Sequence, residues 1–316
     1  MLKGRYELET RIGDGGMAEV FRAYDRVSGA IVAVKQLREV AGIPDAAARF
    51  AREVELLASI DHPNCVRLLD ADLEGETPFA VLELVTGADL RDLMRYPLPP
   101  AQVINLSRQI LHGLSALHDR KIIHRDLKAE NVMLTRDADG NEKAILVDFG
   151  AALPIGGDYR GPKVKQTAAG FILGTPTGIS PEQLDGAPAN ERTDLYALGV
   201  LMFEMLTREL PFTGDPTEIL RQKISGPDPR LPDSVPRTLA MAVHSLMHRD
   251  PLMRLGSTVA ALRALDFAES ELGRNRRSHT WHDLLGKRFS SASRVRTAAL
   301  SKLSPTFGSA RAGSST

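Results

Sequence analysis

The sequence predicts an α+β protein of two lobes, a small antiparallel sheet carrying one helix and a larger, mainly helical body. Three observations predict it. Residues 4–38 alternate as a twisted antiparallel sheet does, with Tyr6, Leu8, Ile12, Val20, Phe21, Ala23, Ile31, Ala33 and Leu37 as the apolar set. Residues 45–60 change period: Phe50, Val54 and Leu57 fall at i, i+4 and i+7, the spacing of one buried helical face. Further on the helical period dominates, and a near-wholly apolar stretch from Tyr196 to Leu206 suits a buried central helix.

At 316 residues and 43% hydrophobic content the chain can build two lobes and a sizeable core. The single cysteine, Cys65, rules out an internal disulfide and suits a reducing compartment. The start, Met1-Leu2-Lys3-Gly4-Arg5-Tyr6, turns polar at once, unlike a cleavable signal. The most apolar run, Tyr196 to Leu206, is interrupted by Glu204 and falls short of the ~20 residues a membrane span needs. A soluble, cytoplasmic protein is expected. The formal net charge of zero hides an asymmetry. Residues 271–316 carry nine Lys/Arg against two Asp/Glu, a charge of +7, which leaves −7 on the rest. The expected division is a folded unit over 4–269 (N-lobe about 4–82, hinge about 83–89, C-lobe about 90–269) and a basic Ser/Arg/Ala-rich tail over 270–316. A largely disordered, solvated tail is the reading taken over one that binds anionic partners or folds back on the body.

Along the chain, Ile12 leads into Gly13-Asp14-Gly15-Gly16-Met17-Ala18-Glu19-Val20. Such a strand–turn–strand lets backbone N–H groups approach phosphate oxygens without Cβ interference, although alone it also reads as a plain hairpin. Val32-Ala33-Val34-Lys35 follows, and a lysine inside an apolar strand is costly to bury unless phosphate or a carboxylate pairs it. Asp45 is expected to cap the helix over 45–60. Glu53 borders its buried face and Glu55 points away, so Glu53 is the better partner for Lys35. Val66–Leu69 and Phe79–Leu84 read as two further strands joined by an acidic turn from Asp70 to Pro78. The stretch from Glu83 through Val85 and Gly87 to Asp89 and Leu90 then leaves the sheet and enters a helix. Val103, Leu106, Ile110, Leu114 and Leu117 mark another amphipathic helix over 101–119.

Next comes His124-Arg125-Asp126-Leu127-Lys128-Ala129-Glu130-Asn131, a polar loop gripped between Ile122-Ile123 and Val132-Met133-Leu134. It packs a potential base, two cations and a metal-ligand amide into one rigid turn. Asp139-Gly140 marks a hairpin. Ile145-Leu146-Val147-Asp148-Phe149-Gly150 then sets an aspartate at a strand end, 22 residues after Asp126. Residues 151–179 are poor in core residues and read as a mobile, functional segment closing in Gly174-Thr175-Pro176 and Ser180-Pro181-Glu182. Thr193-Asp194-Leu195 opens the apolar helix. Arg254, after Asp250-Pro251, is expected to pair with Glu182, and regular structure to end near Glu269.

These motifs, in this order over about residues 4–268, resemble the eukaryotic-like (Hanks-type) bacterial serine/threonine protein kinase family. Two departures are mild: Ala18 replaces the third glycine of G-x-G-x-x-G-x-V, and Ser180 the alanine of the A-P-E close. The resemblance implies the bilobal protein-kinase fold and transfer of the γ-phosphoryl group of ATP to Ser/Thr hydroxyls. It implies Asp126 as the group that orients the hydroxyl and takes its proton. Asp148 and Asn131 would hold Mg²⁺, for which Mn²⁺ could substitute. Lys35, kept in place by Glu53, would grip the α- and β-phosphates, and Lys128 would neutralise the γ-phosphate. Ile12 to Val20 would cover the nucleotide. Val20 and Ala33 would lie above the adenine, Met133 below and Leu82 behind, with backbone groups of Glu83 and Val85 at its edge and Asp89 at the ribose. Leu57, Leu68, His124 and Phe149 would stack as an apolar column joining the lobes.

Lys128 and Gly174-Thr175 point to Ser/Thr acceptors in proteins, with self-association for trans-autophosphorylation and no nucleic-acid partner. A phosphothreonine carries about −1.5 to −2 charges and pairs bidentately with arginine, so Arg125 beside Asp126 would receive one. Thr167 is the expected activating site, and Thr175 is expected to pack against Asp126 and Lys128. The alternatives are a pseudokinase or nucleotide-gated scaffold, and a small-molecule kinase. No catalytic position is missing, against the first; Arg125 and Ser180-Pro181-Glu182 speak against the second.

Overall fold

The computed structural model describes residues 1–14, 17–38, 46–155 and 178–275. It opens with strands β1 (Tyr6–Asp14), β2 (Ala18–Asp25) and β3 (Ile31–Leu37), helix α1 (Ala46–Ala58), and strands β4 (Leu68–Asp72) and β5 (Phe79–Glu83). Next come β6 (Ala88–Asp89), α2 (Leu90–Leu93), α3 (Pro100–Asp119), β7 (Ile122–Ile123), β8 (Val132–Arg136), β9 (Glu142–Leu146) and β10 (Leu153–Pro154). Helices α4 (Pro181–Leu184), α5 (Glu191–Thr207), α6 (Pro216–Ser225), α7 (Arg237–Leu246) and α8 (Thr258–Asn275) follow. The class is α+β: an antiparallel sheet lobe, then a helical body. Among the described residues no helix is long and apolar enough to cross a membrane.

The first five strands form one antiparallel sheet in the order β1-β2-β3-β5-β4. Period-two alternation gives it two distinct faces. One face closes on itself through Tyr6, Ala23, Val32, Val34, Phe79 and Val81, with the Tyr6 and Phe79 rings edge-on at 6.0 Å. The other brings Ala18, Leu37 and Ala80 against Phe50 and Val54 of α1. Lys35 belongs to this second face because it sits opposite Ala80 in the β3–β5 ladder. Asp45, the expected cap of α1, lies outside the described residues.

The strand expected over Val66–Leu69 is two separate pieces. Val66 donates its N–H to the Leu146 carbonyl at 2.9 Å, and Leu146 donates to Asn64 at 2.8 Å, so residues 64–66 bond to β9 in the body. The sheet ladder begins only at Leu68 and runs on to Asp72, which puts Asp70 in a strand rather than in a turn. Asp70 earns that place by accepting the hydroxyl of the buried Tyr6 at 2.6 Å. A bulge between Leu68 and Asp70 turns the carboxylate toward it.

In the body, α3 starts on Pro100, whose fixed φ suits a first helical turn, and buries Val103, Leu106, Ile110, Leu114 and Leu117. Helix α5 is buried continuously from Thr193 to Leu206 and starts on an Asn190 cap that accepts the Arg192 N–H. Helix α8 continues past Glu269 to Asn275, and Arg108 of α3 binds its Asp266 at 3.0 Å and Glu269 at 2.6 Å. Cys65 is buried at the seam with its Sγ 3.7 Å from the Gly113 carbonyl, and burial pushes its thiol up to about 12.

Arg254 and Glu182 form the expected pair through two bonds of 2.7 Å, both side chains almost out of solvent. Burial pushes the Glu182 carboxyl up, and Arg254 more than offsets this, so it titrates below an ordinary glutamate. The stability this pair confers is therefore present above the unfolded carboxyl's pKa of roughly 4.3 and is lost as the pH falls through the lower folded value. Arg254→Met leaves a buried carboxylate alone and should cost about 3–5 kcal/mol in urea unfolding at neutral pH. The pH dependence of this term should also change sign, the variant regaining stability on acidification as its raised carboxyl protonates.

Candidate active site

The cleft is built by β1–β3 and β5 on one side and by the loop between β7 and β8 on the other. Gly13 allows β1 to lie close to β2, since a Cβ there would stand 3.3 Å from that of Val20. Arg38 bonds both Asp14 and Glu19, and Arg11 bonds Asp14 at 3.2 Å and Glu19 at 2.7 Å. The acids at the base of the glycine turn are thus committed to arginines, and Arg38 also donates its N–H to the Met17 carbonyl at 2.9 Å. Gly15 and Gly16, at the tip, lie outside the described residues, as do Thr167 and Thr175.

Ladder register sorts the expected nucleotide wall. Val20 stands opposite Lys35, and Ala33 opposite Leu82, so these four share one face of the sheet. Met133 on β8 pairs with Asp89 on β6 across the floor. The connection between lobes is tight: a Cβ on Gly87 would lie 1.8 Å from the Leu134 carbonyl, so only glycine passes. Glu83 is bound twice to Arg67, accepting its N–H on the carboxylate at 3.0 Å and donating its own N–H to its carbonyl at 3.0 Å. Asp89 caps α2 by accepting the Asp92 N–H at 2.8 Å.

Lys35 joins the lobes. Its Nζ donates to Glu53 at 2.5 Å and to Asp148 at 3.0 Å. Burial pulls the ammonium down, but Asp148 and Glu53 more than offset it, and it stands above an ordinary lysine. For Asp148, burial pushes upward and Lys35 prevails, holding the carboxyl below the usual range. For Glu53, burial wins over Lys35 and the carboxyl is pushed up. Beneath them the His124 and Phe149 rings pack at 5.2 Å, both wholly buried, and Leu57 and Leu68 belong to the same apolar cluster as Phe149.

Asp126 accepts Lys128 Nζ at 2.7 Å and Asn131 Nδ2 at 3.0 Å. The same Nδ2 donates to the Asp126 carbonyl at 2.8 Å, which fixes the amide with its oxygen turned away from Asp126. Asp126 and Lys128 remain about two-fifths exposed, open to an incoming group. Among the described residues no three His, Cys, Asp or Glu side chains group as metal ligands. A divalent ion here would take the Asp148 carboxylate and the Asn131 amide oxygen, with phosphate and water oxygens completing its shell, and that hard-oxygen donor set fits Mg²⁺.

Two residues of this loop region hold left-handed backbone that non-glycine residues avoid: Arg125 at φ 69° and Asp148 at φ 65°. Each such residue costs on the order of 1–3 kcal/mol unless its surroundings hold it. For Arg125 the holder is Asp194, fully buried in the first turn of α5. Asp194 accepts the N–H groups of His124 at 2.9 Å and Arg125 at 2.8 Å, and His118 donates to it at 2.8 Å. Sequence reasoning passed over Asp194 and His118. The available signal was an acid at the mouth of an otherwise apolar helix, where a charge needs a partner. It also missed Arg91, which bonds Glu130 of the loop at 2.9 Å and the nearly buried Glu204 of α5.

A two-lobed fold with a lysine–carboxylate bridge across its cleft, facing an aspartate–lysine–asparagine loop, defines a phosphoryl-transfer architecture. Residues 6–265 match the protein kinase domain family, and the chain belongs to it. The serine/threonine-protein kinase pkn2 of Myxococcus xanthus is 38% identical over 280 residues, covering 86% of this chain and 33% of that protein. A probable serine/threonine-protein kinase of Streptomyces coelicolor is 38% identical over 268 residues, 81% of this chain and 38% of its own length. The serine/threonine-protein kinase PknL of Mycobacterium tuberculosis is 33% identical over 279 residues, 86% of this chain and 67% of that protein. The chain thus spans only about a third of the length of the first two.

Asp194→Asn should leave one buried backbone N–H facing an amide N–H₂ instead of an oxygen. The expected loss is about 1–3 kcal/mol of stability by chemical denaturation. Turnover should fall more than nucleotide affinity does, because Asp126 follows the loosened peptide directly.

Proposed function

We propose that the chain is an ATP-dependent serine/threonine protein kinase acting on protein hydroxyls. The observation that carries this reading is Lys35, shared between Glu53 and Asp148 across the cleft that Asp126 faces. Transfer passes through a loose transition state, so positioning and charge neutralisation supply most of the catalysis. Asp126 orients the acceptor hydroxyl and receives its proton. Lys128, already beside Asp126, meets the γ-phosphate, and Lys35 holds the α- and β-phosphates against the wall of Val20, Ala33, Leu82 and Met133. Glu83 and Val85 meet the adenine edge through their backbone. Asp89 can reach a ribose hydroxyl only in addition to its capping bond. Asp148 and Asn131 hold Mg²⁺, or Mn²⁺ in its place, which when bound neutralises charge on the phosphate oxygens.

We assign the catalytic unit, expected over 4–269, to extend to the end of α8 at Asn275, with the basic residues that follow as an appendage and the cytoplasm as the working compartment. The relatives' names support Ser/Thr acceptors, and so does Lys128, which sits where an acceptor hydroxyl would be oriented. Autophosphorylation in trans at Thr167, with Thr175 packing near Asp126 and Lys128, is the regulation this reading carries.

Lys35→Met and Asp126→Asn should each reduce incorporation of labelled γ-phosphate into a basic protein at least a hundred-fold, about 2.7 kcal/mol in the barrier. Asp126→Asn should still bind nucleotide. Turnover above about a tenth of the wild type in Asp126→Asn would remove the assignment, and transfer to small alcohols in place of protein would change the acceptor class. Thr167→Ala should lower activity roughly ten-fold, about 1.4 kcal/mol. Mass spectrometry after ATP incubation should find phosphate on Thr167, and fully active enzyme without it would end that part of the reading.

A further inference from the structure

Lys223 on α6 is enclosed, with 1% of its surface exposed. Burying an ammonium costs more than packing a hydrocarbon of equal length, so its presence calls for a reason. Its Nζ donates to the Ile179 carbonyl at 2.6 Å, with the Tyr196 and Phe212 ring centroids each 5.4 Å away. Ile179 immediately precedes Ser180, the cap of α4. Its other neighbour, Gly178, runs beside the catalytic loop, where an added Cβ would meet the Leu127 carbonyl at 3.5 Å. Leu127 lies between Asp126 and Lys128. The strip formed by residues 178–180 thus lies against the loop that carries Asp126, beside the place where a polypeptide hydroxyl would meet that carboxylate.

We infer that Lys223 is a positioning residue that tethers this strip and thereby sets how an acceptor protein is held, an inference that rests on the kinase reading above. The strip is anchored on its far side by Glu182, which Arg254 grips from the turn between α7 and α8. Toward Ile179 the tether comes from α6. Among the described residues, the charged and titratable groups near the ammonium include Glu182 of α4, Tyr196 of α5, and Arg249 and Arg254 of that turn. Arg249 donates to the carbonyl of Lys223 itself at 2.9 Å, and Arg254 stands 4.7 Å over the Tyr196 ring. Burial pulls the Lys223 ammonium down to about 7 against the opposing pull of Glu182. The tether is therefore fully charged below that pH and loses its charge above it. The effect on stability has the opposite sign, because a depressed lysine makes the fold gain stability as the pH rises from there toward an ordinary lysine's value.

The experiment compares the full chain with its Lys223→Met variant, measuring KM for a protein acceptor, KM for ATP and thermal unfolding across the neutral pH range. The acceptor KM of the variant should rise about ten-fold as the charged tether to the strip is lost, with KM for ATP and melting temperature held or the latter raised. The wild-type acceptor KM should climb as the pH passes about 7, and that of the variant should stay flat. Lys223→Arg, which keeps its charge, should restore tight acceptor binding without the climb, and this remains readable even if the methionine variant folds poorly. An unchanged acceptor KM in Lys223→Met, or parallel losses in ATP binding and melting temperature, would reduce the lysine to a packing residue and overturn the inference. Absence of protein transfer by the wild type would overturn the kinase reading itself and this inference with it.

Discussion

The whole site hangs on one buried carboxylate. Asp194 has no solvent contact, yet it accepts two consecutive backbone N–H groups and a histidine N–H, so its lone pairs are well used. Those bonds hold the peptide at Arg125 in a left-handed turn that it would otherwise leave, and the turn decides where Asp126 points. Asp194 in turn is held by α5, buried almost end to end in the body's core. Core packing is thereby converted into the direction of the Asp126 side chain. A loop this polar could not hold its shape against water without such an internal anchor.

A second constraint joins the lobes. Lys35 comes from the sheet, Glu53 from the helix packed on it and Asp148 from the body, so the bridge exists only when all three elements are in register. The residues 64–66, bonded to β9, tie the same two regions from behind through two backbone bonds and the Asn64 side chain, which donates to the Ala144 carbonyl at 2.7 Å. One connection is ionic and sensitive to what enters the cleft; the other is a fixed ladder.

Much of this was legible beforehand, and the exceptions are instructive. The Lys35–Glu53 pairing followed from two periodicities, since a strand period put the lysine inward and a helical period put Glu53 at the edge of the stripe. The Glu182–Arg254 pair, bonded in the structure, was expected from the motifs that carry it, the A-P-E-like close and the arginine after Asp250-Pro251. Asp194 was not, because a carboxylate in the first turn of a helix has an ordinary reading as an end-of-helix charge. Two of its three partners are backbone groups, which leave no trace in residue identity, and the third, His118, lies on α3 far earlier in the chain. The strand at Leu68–Asp72 was misplaced for a similar reason: Val66 is as apolar as a strand residue, but its hydrogen bonds go to Leu146 in the other lobe. Asp70 looked like a turn residue until Tyr6 supplied its partner. The end of α8 was expected near Glu269, which Arg108 of α3 bonds, whereas the helix runs on to Asn275.

The buried Cys65 has a consequence for how the molecule meets oxidants. The thiolate is the form that attacks disulfides and peroxides, and a thiol raised to about 12 supplies almost none of it near neutrality. Because this is the chain's one sulfhydryl, direct thiol oxidation has no purchase on the folded unit. The cleft between the lobes therefore holds no accessible thiol that swings in redox poise could modify.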